Sequence, residues 1–155
     1  MAEVAAPSTS VVFICTSNTC RSPMAEAWAR QWITECHPRA SHITVSSMAL
    51  SDAYEPPGSA ASPHAVSAMQ RRGMDLTRHR SRLVNEALVK QADILVCVTA
   101  RHERLLRDQF PHIDVPIHVF AQDVPDPWHR DLAAYEACAA QLHKQLQVLL
   151  PSLHV

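Results

Sequence analysis

The sequence predicts an α/β protein: a single domain whose central four-stranded parallel sheet carries helices on both faces. Three observations point to this class. Short, continuous apolar runs rich in β-branched residues, Ser10–Cys15 (SVVFIC), Asp93–Val98 and Val115–Phe120, have the pattern of strands buried on both faces. Longer stretches between them place apolar residues at helical spacing. Strand and helix alternate along the chain, which builds a parallel sheet covered by its own crossover helices.

The elements follow in order. Ser10–Cys15 is the first strand and Thr16–Arg21 a polar turn. Ser22-Pro23 then has the form of a helix start, with serine as N-cap and proline at the first helical position, where no donor is needed. The helix runs from Met24 to about Cys36, with Ala25, Trp28 and Trp32 on its apolar side. His42–Ser47 alternates as a second strand, followed by a loop containing Pro56, Pro57 and Gly58. Ser62-Pro63 repeats the start signal for a helix that stops near Gly73. The polar stretch Asp75–Arg82 leads to a short helix over Val84–Gln91 and the strand Asp93–Val98. Thr99 caps a helix that ends before Pro111, and Val115–Phe120 is the fourth strand. After the loop Ala121–Arg130, Leu132, Tyr135, Ala139, Leu142, Leu146 and Leu149 recur at steps of three and four, the pattern of a long amphipathic closing helix.

Composition narrows the function classes. The 155 residues suffice for one domain with a real core, and 47% apolar with 19% charged is ordinary for a globular chain. No apolar run approaches the roughly 20 residues of a membrane helix. Residues 1–9 lack a secretory pattern and read as a flexible leader to a domain over 10–155, so the expected compartment is the cytoplasm. A net charge of −1 gives no electrostatic case for nucleic acid or an anionic membrane as partner. Arg71, Arg72, Arg78, Arg80 and Arg82 read as a solvated face with structural ion pairs. The five cysteines show no C-x-x-C pairs, and neither a disulfide framework nor a zinc ligand set is expected. Cys97 lies in an apolar strand, while Cys36 and Cys138 fall in helical segments.

Cys15-Thr16-Ser17-Asn18-Thr19-Cys20-Arg21-Ser22 carries the chemistry. In a parallel sheet, ligands bind beyond the carboxyl ends of the strands, and this turn is at one. A loop that folds back between a strand and a helix start turns its N–H groups toward a common centre, and the helix start adds its own donors. Arg21 supplies a planar fork matched to two phosphoryl oxygens. Cys15 sits at the strand end below the same centre, where positive surroundings favour the nucleophilic thiolate. Ser22 is placed to hydrogen-bond that sulfur. The loop has no Gly-Lys-Ser/Thr ending, which excludes a nucleotide-type phosphate loop.

Val11–Ala27 (VVFICTSNTCRSPMAEA) resembles the phosphate loop and first helix of low-molecular-weight protein tyrosine phosphatases. The resemblance continues in order through Ser62-Pro63-His64-Ala65, His79-Arg80-Ser81-Arg82, Ala92-Asp93 and Asp126-Pro127, and so spans most of the chain. It implies a hydrolase in which Cys15 attacks phosphorus to form a cysteinyl-phosphate, Arg21 and the amides of Thr16–Ser22 hold the phosphoryl group, and Asp126 is general acid and then base. Asn18 and Ser22 would hold loop and thiolate, with His79 supporting Asn18. From the residues alone, Asp126 is also an ordinary turn residue before Pro127, and Asp123 is a nearby competitor. Trp128 is either a wall for a flat substrate group or core packing. Cys20 also matches a family cysteine, and a reversible bond to Cys15 would protect the nucleophile. The resemblance implies no cofactor and no metal. The partners it implies are phosphorylated proteins or peptides, with inorganic phosphate or another oxyanion in the loop.

The chain departs from the family pattern at Ser17 and Ala49, where glycines are usual, and at His129-Arg130, where tyrosines or glycines are. A glycine there supplies positive φ or close approach, so Ser17 is expected to strain the loop. Thr19 stands where the tyrosine phosphatases commonly carry an aliphatic residue and the related protein arginine phosphatases carry threonine. Phosphotyrosine is the favoured substrate by the breadth of that branch, with phosphoarginine the alternative. Arsenate reduction and non-catalytic phosphopeptide binding are weaker readings. The first needs relay cysteines on a mobile segment, and the second leaves Cys15, Arg21 and Asp126 together without a purpose.

Overall fold

The structure, a computed structural model, describes residues 8–36 and 38–153. The elements are β1 (Thr9–Cys15), α1 (Arg21–Glu35), β2 (Ile43–Ala49), α2 (Pro63–Gln70), α3 (Glu86–Gln91), β3 (Ile94–Cys97), α4 (Ala100–Gln109), β4 (Ile117–Val119) and α5 (Leu132–Ser152). The expected leader, 1–9, lies outside the described residues as far as residue 7, and Thr9 already pairs with Ile43 in β1.

All four strands are parallel, in the order β2-β1-β3-β4. The chain leaves β1 toward one edge and then crosses back over it to β3. The strand order therefore reverses at β1, and the crevice beyond the carboxyl end of β1 is the switch point where such sheets bind ligands.

Strand side chains alternate between faces. Val11, Phe13 and Cys15 of β1 face one way and pack with residues of α1, α2 and α5, including Met24, Ala65, Met69, Leu142 and Leu146. Val12 and Ile14 face the other way, with Val89 of α3 and Leu106 of α4. Complete burial of Phe13 and Ile14 contributes about 1.5–3 kcal/mol each. The apolar stripe of α5 buries Tyr135, Ala139, Leu142 and Leu146, and Trp28 of α1 donates its indole N–H to Ala139 O at 3.0 Å.

Three helix starts use side-chain caps. Asn85 accepts from Leu88 N–H, Thr99 from His102 N–H and Asp131 from Ala134 N–H. The start of α1 departs from expectation. Its N-cap is Cys20, which makes no capping bond with its side chain, and Ser22 lies inside the first turn. The Ser22 hydroxyl is turned to the sulfur of Cys15 instead, so its role is in the loop rather than at the cap. Ser62 likewise makes no capping bond to α2 and contacts Cys20. The edge strand β4 pairs only over Ile117–Val119, shorter than the apolar run that encodes it. Of the arginine cluster, Arg71 and Arg72 both pair with Glu136 on α5.

Candidate active site

The loop Thr16–Cys20 is held from outside by its carbonyls. Cys15 O accepts from Leu50 N–H at 3.0 Å, Thr16 O from Ser51 N–H at 3.0 Å and Thr19 O from Ser62 N–H at 2.9 Å. Cys20 O accepts from Met24 N–H, the first helical bond, at 3.2 Å. Asn18 O accepts from His79 Nε2 at 2.7 Å, which fixes the proton on that ring nitrogen. In a planar trans peptide, each C=O opposes the N–H of the next residue. Tying these carbonyls to the surroundings therefore aims the amides of Thr16, Ser17, Thr19, Cys20 and Arg21 at the loop's interior. Among the described residues, those amides donate to no other protein group. Donors aimed at one point in this way suit an oxyanion, whose several lone pairs fit the ring they form.

Asn18 takes the left-handed conformation that closes the loop, with φ 59°, and its side chain supports that turn on both sides. Oδ1 accepts from Arg82 N–H at 3.0 Å, and Nδ2 donates to Ser22 Oγ at 2.7 Å. The positive φ falls at Asn18, a residue type that tolerates it, and not at Ser17, so Ser17 carries no left-handed backbone. Ala49 fits as well, since it is in strand conformation opposite Cys15.

Having accepted from Asn18, the Ser22 hydroxyl is free to donate to Cys15 Sγ at 2.9 Å, and Ser22 N–H approaches the same sulfur at 3.4 Å. Two donors thus converge on the sulfur. Arg21 is buried, donates from Nη1 to Val124 O at 3.0 Å, and brings Nη2 to 3.5 Å from Asp126 Oδ2. Asp126 also accepts from Trp128 N–H at 3.1 Å through Oδ1, so it is a turn residue and a partner of Arg21 at once. Asp123 is tied elsewhere, accepting from Ala100 N–H at the start of α4.

These residues open into one cavity of about 700 Å³, which Cys15, Thr16, Ser17, Thr19, Cys20, Arg21, Asp126 and Trp128 all line. Trp128 is half-buried and meets Tyr54 edge-on, with ring centroids 5.4 Å apart. Both rings line the cavity. Cys15 and Cys20 are free thiols. Burial pushes the Cys20 thiol up, and its sulfur lies 3.0 Å from Ser62 Oγ and 3.4 Å from the Tyr135 hydroxyl.

A model of the family described as low molecular weight phosphotyrosine protein phosphatase matches residues 10–155. The chain belongs to that family. Among members of this phosphatase family, a probable low molecular weight protein-tyrosine-phosphatase, EpsP, from Ralstonia solanacearum is 27% identical over 93% of this chain and 95% of its own. A protein-arginine-phosphatase from Bacillus subtilis is 29% identical over 92% of this chain and 95% of its own. A solved structure of the YwlE arginine phosphatase, a cysteine-to-serine mutant with a phosphorylated active-site serine, superposes with a TM-score of 0.81 at 29% identity, covering 94% of this chain and 95% of that one.

Two side chains of this phosphatase site have no local signal in the sequence, and both are brought in by other elements. Tyr54 comes from the loop after β2. His102, on α4, is 3% exposed and places Nε2 3.0 Å from Thr16 Oγ1 and 3.5 Å from Arg21 Nη2. Its Nδ1 is 2.8 Å from Thr99 Oγ1. Since a guanidinium only donates, Nε2 is the acceptor and Nδ1–H donates to Thr99.

Burial first, then the charges of Arg21 and Arg101, push the His102 pKa down to about 3. The folded state thus binds fewer protons than the unfolded chain between pH 6.5 and 3, and stability falls as the solution is acidified through that window. From pH 8 to pH 5 the loss from this group is about 2 kcal/mol. Urea unfolding of the wild type and of His102→Asn at both pH values checks it. The wild type should lose about 2 kcal/mol more than the variant, and equal losses would contradict the neutral, buried assignment.

Proposed function

We propose that this chain hydrolyses phosphorylated protein side chains through a cysteinyl-phosphate, with phosphotyrosine as the favoured substrate. The observation that carries this reading is the ring of amides from Thr16 to Arg21 pointing inward around the sulfur of Cys15. A phosphoryl group in that ring has Arg21 beside it and Cys15 beneath it. Cys15 Sγ attacks phosphorus as the bond from phosphorus to the substrate oxygen breaks. Asp126, as general acid, gives a proton to that oxygen. Its carboxylate then takes a proton from a water whose oxygen displaces sulfur from phosphorus, releasing phosphate and restoring the thiolate. Throughout, amides and guanidinium stabilise charge spread over the equatorial oxygens. Ser22 supplies a hydrogen bond to the departing sulfur, and Asn18 with His79 keeps the loop in shape. No step requires a metal or a cofactor. The phosphorylated active-site serine of the arginine phosphatase mutant is a covalent species of the same kind in a relative.

Trp128 and Tyr54 support an aromatic leaving group, because the two rings, in edge-on contact with each other, give the cavity an aromatic side against which a phenyl ring can pack. Thr19 supports the second reading, phosphoarginine. It lines the cavity with its hydroxyl 3.7 Å from Cys20 Sγ, and the Bacillus subtilis relative is named for arginine. Arsenate reduction has less support. Cys97 and Cys138 are buried with thiols pushed up to about 12, unlike the exposed thiols of a disulfide relay.

The test compares kcat/KM for phosphotyrosine and phosphoarginine peptides in the wild type and in Thr19→Ile. Phosphotyrosine is expected to be the better substrate for the wild type, and the substitution to widen its lead by about threefold to tenfold. A wild type that prefers phosphoarginine would reverse the assignment, and an unchanged ratio would remove Thr19 from specificity.

A further inference from the structure

The cavity extends well beyond the anion loop. Besides the loop and the aromatic walls, its lining includes Arg101, Leu105, Asp108 and Gln109, which recur at helical spacing along one face of α4. The start of α4 is the end nearest Cys15, because His102 reaches Thr16 and Arg21. The face therefore leads outward, away from the phosphoryl site. At 1.5 Å per residue, Arg101 and Asp108 are separated by about 10 Å along the axis, a span of about three extended residues.

Elsewhere on the helix, Glu103 and Arg107 pair with each other at 2.9 Å, and Arg104, which does not line the cavity, is exposed. Arg101 and Asp108, among the described residues, are in no ion pair and no side-chain hydrogen bond, and both are exposed. Between them, Leu105 is 41% exposed, one of three large apolar side chains so placed in the described residues. A cation, an apolar side chain and an anion thus succeed one another along the cavity wall with their partners unfilled.

We propose that this face of α4 docks the polypeptide flanking the phosphorylated residue of a protein substrate. It reads an acidic residue nearest the phosphorylated one against Arg101, an apolar residue about two positions further on against Leu105, and a basic residue about three positions further on against Asp108. The inference rests on the phosphoprotein phosphatase reading above and adds a sequence preference to it.

The experiment uses phosphotyrosine peptides carrying Glu-Ala-Leu-Lys after the phosphorylated residue or Lys-Leu-Ala-Glu before it, matched peptides with Glu and Lys exchanged, and p-nitrophenyl phosphate. The wild type should favour the charge-matched peptide on one flank by about fivefold in kcat/KM. Arg101→Glu with Asp108→Lys should reverse that preference and leave p-nitrophenyl phosphate turnover within about twofold. The inference falls if the wild type does not distinguish the peptides, or if the double variant slows all substrates equally, and in both cases the phosphatase reading stands. A wild type that turns over neither peptides nor p-nitrophenyl phosphate removes that reading and this one together.

Discussion

Cys15→Ser is expected to abolish turnover of p-nitrophenyl phosphate, by about ten-thousandfold or more, while the protein still folds and still binds phosphate. The two outcomes separate because the site has two parts. In the proposed mechanism the anion is held by loop amides and by Arg21, whose contacts in the structure do not involve the sulfur. The proposed nucleophile is a single atom contacted by the Ser22 hydroxyl at 2.9 Å. A serine oxygen in its place keeps that hydrogen bond but remains a neutral hydroxyl, a far weaker nucleophile, since no general base contacts it. The exchange leaves the buried hydroxyl with the Ser22 partner, so the cost in stability is on the order of 1 kcal/mol. Initial rates and a thermal-shift titration with inorganic phosphate measure both halves. Residual activity above about 1% of wild type would show that Cys15 is not the atom that attacks.

How far the sequence foretells this molecule depends on the range over which each feature is encoded. The β1–loop–α1 unit is legible because every signal in it is local: an apolar β-branched run, a polar turn and a Ser-Pro pair. The Ser-Pro pair also misleads. Ser22 has the form of a cap, yet the helix begins earlier, at Arg21, and the hydroxyl is drawn off by Cys15 and Asn18. Glycine-based reasoning located strain at Ser17, whereas the backbone turns at Asn18, whose side chain is locked by Arg82 N–H and Ser22. His102 and Tyr54 are invisible to periodicity because their contacts cross long stretches of chain, 86 residues from Thr16 to His102. The burial of His102 follows from the parallel sheet, which places the first turn of α4 beside the loop after β1. A histidine in a polar, arginine-rich helix carries no mark of that neighbour.

Arg21→Lys preserves the charge and removes the geometry, so it tests what the guanidinium contributes. In the structure, Arg21 donates to Val124 O from one terminal nitrogen, while the other lies between His102 Nε2 and Asp126 Oδ2, each at 3.5 Å. These contacts hold the plane of the fork beside the loop's interior. A lysine ammonium cannot keep the Val124 anchor and also present two parallel donors to a phosphoryl group. Losing a bidentate, charge-assisted pair at about 1.5–3 kcal/mol per bond corresponds to about a thousandfold in kcat/KM. The fall should appear in kcat as well as KM, because charge on the equatorial oxygens grows toward the transition state. It should also weaken competitive inhibition by phosphate, a readout that simple loss of folding would not give in the fraction that remains native. A loss below tenfold, with phosphate binding intact, would mean that the amide ring alone holds the transferring group and that Arg21 serves chiefly to join the loop to Val124.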